Sequence, residues 1–64
     1  MDKITKDALI RIAKRYREAH AVDSEIAKAQ AEGSYNKGLY IGFATANLGI
    51  ASELEEWIKE YDDV

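Results

Sequence analysis

The chain has no cysteine and no proline. Without cysteine it can form no disulfide. With His20 as the single histidine, a structural zinc site would lack its usual nitrogen and sulfur ligands. Very small domains rely on disulfides, a metal or association to supplement a thin core. For 64 residues without the first two, association remains. The lack of proline leaves long helices uninterrupted. Long apolar runs are also missing. The longest charge-free stretch, residues 38–52, contains Gly42, Thr45, Asn47 and Gly49 and falls short of the ~20 apolar residues of a membrane span. The start Met1-Asp2-Lys3-Ile4 leads into no apolar segment of the kind a signal peptide needs. A cytoplasmic protein with no membrane segment and no cofactor is the expectation, organised as one domain over residues 1–64.

What is present favours helix. Alanine is the commonest residue, with ten copies. Thr5 is suited to cap a first helix, with Asp7 in its first turn. Apolar residues then recur at helical spacing at Leu9, Ile12, Tyr16, Ala19 and Ile26. Glu32-Gly33-Ser34 reads as a stop, with Gly33 at the left-handed C-cap. The first helix is expected over about 6–32. A turn follows at Ser34, Asn36 and Gly38, and a second helix over about 37–61. Its stripe Leu39, Phe43, Ala46, Ile50, Leu54, Trp57, Tyr61 holds one face for six turns. Two alternatives stand beside this: a short strand over the strand-prone segment 39–45, and a first helix divided by a cap at Asp23-Ser24. The end, Asp62-Asp63-Val64, is expected to fray.

Net charge is only −3, but its distribution is uneven. Residues 6–17 carry Lys6, Arg11, Lys14, Arg15 and Arg17 against Asp7. Residues 53–63 carry Glu53, Glu55, Glu56, Glu60, Asp62 and Asp63 against Lys59. An antiparallel hairpin places these segments side by side, with facing positions summing to about 70. The fold class read from the sequence is therefore all-α, an antiparallel helical hairpin.

The second helix has more apolar surface than one neighbour can cover. Beside the main stripe runs another, Ile41, Ala44, Leu48, Ala51, Ile58, with Tyr40 next to it. If the main stripe meets the first helix, the other must meet something else. Dimerisation into a four-helix bundle is the simplest way to cover it. Tyr35, Tyr40, Ile41, Ala44, Leu48, Ala51 and Ile58 are then the expected oligomer or partner interface. Gly42, Ala46 and Gly49 are the small residues that would admit a neighbouring backbone closely.

The chemistry-bearing residues are few. His20, Asp23 and Asn47 are expected as a polar core layer that fixes register, or as a small-ligand site in a third reading. Arg11, Arg15 and Arg17 are candidate nucleic-acid contacts. Nucleic acid is the weaker alternative, because no aromatic stacking platform accompanies them and the hairpin puts carboxylates beside them. Glu53 and Glu56, three apart, resemble the carboxylate pairs of helical pyrophosphohydrolases over four residues, but the second pair is missing. Ser24, Ser34 and Ser52 have no base and orienter gathered around them. No enzyme is expected. The leading expectation is a non-enzymatic protein–protein interaction module. It would be a small inhibitor, adaptor or regulator with the general look of phage- or plasmid-carried accessory proteins. Its partners would be a second copy of itself and a larger protein.

Overall fold

The computed structural model describes residues 1–62. Two helices, α1 (Lys3–Ala29) and α2 (Tyr35–Glu60), pack against each other as a hairpin. Asp63 and Val64, where fraying is expected, lie outside the described residues.

The helix ends differ from the expected ones for local reasons. Asp2, not Thr5, caps α1. Its carboxylate accepts from the Thr5 backbone N–H and from the Thr5 hydroxyl, both at 2.8 Å. A carboxylate at this position meets the positive end of the helix dipole, which a hydroxyl does less well. The Thr5 backbone N–H accordingly holds the Asp2 carboxyl below its ordinary range. At the other end α1 stops at Ala29, because Gln30 turns extended while its N–H still donates to Ala27 O. Gly33 does adopt the left-handed conformation, at φ 76°, but in the turn and not as the C-cap. Ser34 then caps α2, its hydroxyl accepting from the Lys37 N–H at 3.1 Å. α2 therefore starts at Tyr35. Segment 39–45 is helical and α1 is continuous through Asp23-Ser24.

The expected register is present. Lys6 pairs with Asp62, Arg17 with Glu55, and Asn47 donates to Asp23, so facing positions sum to 68–72. The basic start of α1 lies along the acidic end of α2.

The seam between the helices corrects the sequence reading. Its buried residues are Ala13 and Ala27 of α1 and Ala44 and Ala51 of α2, and Ala51 is fully enclosed. With His20 and Ile58 they recur every seven residues along each helix, which keeps them on one side of it. The expected intramolecular stripe is instead exposed: Phe43 at 47%, Ile50 at 41%, Trp57 at 55% and Tyr61 at 48%, with Leu39 also open. The two stripes of α2 have exchanged roles. Small residues on both sides of the seam let the backbones approach, and that approach leaves no room for bulky side chains between them. His20 reflects the same closeness. Its Nδ1 donates to Ala44 O at 2.8 Å, which fixes the proton on that nitrogen.

Candidate interaction surface

At about 100° per residue, the seam divides each helix into two flanks. One flank of the hairpin is mixed in character, with Ile10, Lys14, Arg17 and Ser24 from α1 and Ile41, Thr45 and Glu55 from α2. The other flank, the broad face, joins Ile12, Tyr16, Ala19 and Asp23 of α1 to Phe43, Asn47, Ile50, Leu54, Trp57 and Tyr61 of α2. On it lie two edge-to-face aromatic pairs. Tyr40 and Phe43 are 5.8 Å apart near the turn, and Trp57 and Tyr61 are 6.5 Å apart near the open end. Ala19 and Ala46 lie between these pairs along the axis.

Of the residues expected at a partner interface, Ala44 and Ala51 are buried within the chain, and Leu48, Ile58 and Tyr40 are half-buried. They belong to the hairpin's own packing and leave no free stripe. Tyr35 and Ile41 remain exposed, Tyr35 beside the turn and Ile41 on the mixed flank. What sequence reasoning missed is the broad face itself. Its residues were legible as the strongest stripe in the chain, but that stripe was assigned to the wrong neighbour.

Gly42, Ala46 and Gly49 sit on the exposed side of α2, and a Cβ added at either glycine would meet nothing within 4 Å. Within the hairpin they admit no close neighbour. Gly42→Ala and Gly49→Ala are each expected to raise stability by about 0.5–1 kcal/mol, the ordinary cost of glycine inside a helix. Thermal melts at fixed concentration measure this directly. A loss of stability would mean that another backbone occupies the site.

The polar residues fall into place separately. Asn47 Nδ2 donates to Asp23 Oδ2 at 2.8 Å across the seam, and this pair opens onto the broad face. His20 lies nearby but bonds the Ala44 carbonyl, so the three do not converge. Arg17 is held by Glu55 through two bonds of 2.6 Å. These bonds hold the Glu55 carboxyl below its usual range and raise Arg17. Arg11 and Arg15 are exposed and form no ion pair among the described residues. The three arginines thus form no single phosphate-tracking row.

Comparisons with known families, curated proteins and solved structures return no match. Among the described residues, no three His, Asp or Glu side chains are gathered as a metal set, and no helix is long and apolar enough to cross a membrane.

Proposed function

We propose that this chain is a non-enzymatic protein–protein interaction module that works as a homodimeric four-helix bundle. Its role would be that of a small inhibitor, adaptor or regulator, with the outer surface of the bundle meeting a larger protein. One observation carries the reading. The large apolar side chains of α2 lie together on an open face, while the hairpin's own fully packed residues are alanines. No large side chain of the described residues is fully buried. Contiguous apolar surface of this extent marks an interaction site. A chain whose internal seam is made of methyl groups gains most of its apolar burial from whatever covers that face.

Trp57 is the only tryptophan and lies on this surface, so it reports on its covering. Light scattering at high concentration should give twice the 7.2 kDa chain mass. On dilution, Trp57 emission should move to the red as the indole returns to water, and the melting temperature should fall with concentration. A mass of 7.2 kDa combined with a concentration-independent, cooperative melt would overturn the dimer.

A further inference from the structure

We infer that the occupant of the broad face is a second copy in one particular orientation. The two-fold axis runs parallel to the helices, both turns lie at the same end, and α1 of each copy lies over α2 of the other. The inference rests on the dimer reading above and specifies its partner, symmetry and register.

Size comes first. The backbone of the hairpin is a plate 47 × 15 × 11 Å, so the outline of its broad face is roughly 700 Å², large enough to hold an interface of the standard ~800 Å² of accessible surface per partner once side chains are counted. A copy of the same chain fits the whole length.

Two arrangements bring this face against itself, and they differ in what each helix meets. With the axis along the helices, α1 covers the partner's α2. With the axis across them, α1 covers α1 and α2 covers α2 in reverse. Charge separates the two. Arg15 borders the broad face on α1, and Glu53 borders it on α2. By the observed register Glu53 stands level with residue 17, so Arg15 and the partner's Glu53 would lie within about 3 Å along the axis. Arg15, left without an ion pair inside the hairpin, thus finds a carboxylate across the dimer. In the reversed arrangement Glu53 comes to within about 6 Å, along the axis, of its own copy.

The polar pair decides more sharply. In the hairpin, the Asp23–Asn47 bond uses one carboxylate oxygen and one amide hydrogen. The other oxygen and the other hydrogen have no partner among the described residues. With the axis along the helices, the two pairs stand at the same height, and each Asp23 faces the partner's Asn47. Each amide then donates once within its chain and once across. Each carboxylate accepts twice, and the four side chains close a ring. In the reversed arrangement the pair would sit against Tyr16 and Leu54 of the partner, where one Tyr16 hydroxyl could meet either the free carboxylate oxygen or the free amide hydrogen but no second polar group stands opposite to meet the other, which is costly. A single satisfied polar layer of this kind is how helical assemblies fix orientation.

Because the native chain has no cysteine, Asn36→Cys places one spin label at the turn end of each copy. The proposed orientation gives an inter-label distance below about 30 Å. The reversed one gives about 45 Å, nearly the full 47 Å length of the hairpin. The double variant Asp23→Leu/Asn47→Leu should stay dimeric while a second population near 45 Å appears, since an apolar layer no longer selects the orientation. Arg15→Glu should weaken the dimer about tenfold, and adding Glu53→Arg should restore it. A dimer whose native labels lie mainly near 45 Å overturns the orientation and leaves the dimer standing, and a double Leu variant that keeps only the short distance overturns the Asp23–Asn47 layer as what selects it. A single-chain mass overturns both.

Discussion

Ile50→Glu with Trp57→Glu is expected to leave a chain that no longer associates at any practical concentration. Both side chains are large parts of the broad face, and both are substantially exposed in a single hairpin. The substitutions therefore remove little that the isolated hairpin uses, and glutamate is an acceptable helix former. In the dimer, each glutamate would be carried out of water against apolar side chains, and the nearest cation, the partner's Arg15, is already taken by Glu53. The penalty for an unpaired buried charge is several kcal/mol. Two per chain, repeated by symmetry, should weaken association by at least ~1000-fold at 1.4 kcal/mol per decade. Light scattering reads the loss of mass. Circular dichroism should show helicity falling with it, because the alanine seam alone buries little. Ile41→Glu is the matched control. Ile41 is as exposed as Ile50 but sits on the mixed flank, and its substitution should change mass and stability little. Equal effects at Ile41 and at Ile50/Trp57 would show that the broad face has no special part in association.

That control also marks where sequence reasoning reached and where it stopped. The hairpin, its antiparallel sense and its register were legible, because they follow from helical spacing and from opposite charge runs that can meet only when the chain folds back. The contact of Asp23 with Asn47 followed from the same register and is made at 2.8 Å. The helix ends were readable to within a few residues, and Asp2 was missed because Thr5 is also a sound cap. What did not follow was which side of α2 turns inward. Ranking the stripes by bulk puts Phe43, Ile50 and Trp57 inside. The structure ranks them by how closely two helices can approach, and puts Ala44 and Ala51 inside. The signal was present in the seven-residue steps Ala13, His20, Ala27 and Ala44, Ala51, Ile58, whose members face one another at sums of about 71. A hydrophobicity count gives such residues little weight, because a methyl group contributes little burial even while it sets the distance between two helices.

Ala51→Leu tests that distance, and its expected effect is a loss of about 3 kcal/mol, the upper end for overpacking. Ala51 is fully enclosed at the centre of the seam, so the added carbons can be accommodated only if the helices separate. Separation does not stay local. One turn away in either direction along α2 lie the Arg17–Glu55 bonds at 2.6 Å and the Asp23–Asn47 bond at 2.8 Å. A shift of about 1 Å takes these beyond good hydrogen-bond range. In a domain of this size the loss should lower the melting temperature by roughly 10 °C or more. Ala21→Leu, on an exposed part of α1, should remain within about 0.5 kcal/mol of the parent. A neutral Ala51→Leu would mean that the helices do not meet at this seam. The bulky stripe of α2 would then be free to turn toward α1, the face taken as open would close inside the chain, and the case for a partner on it would be lost with the packing that exposes it.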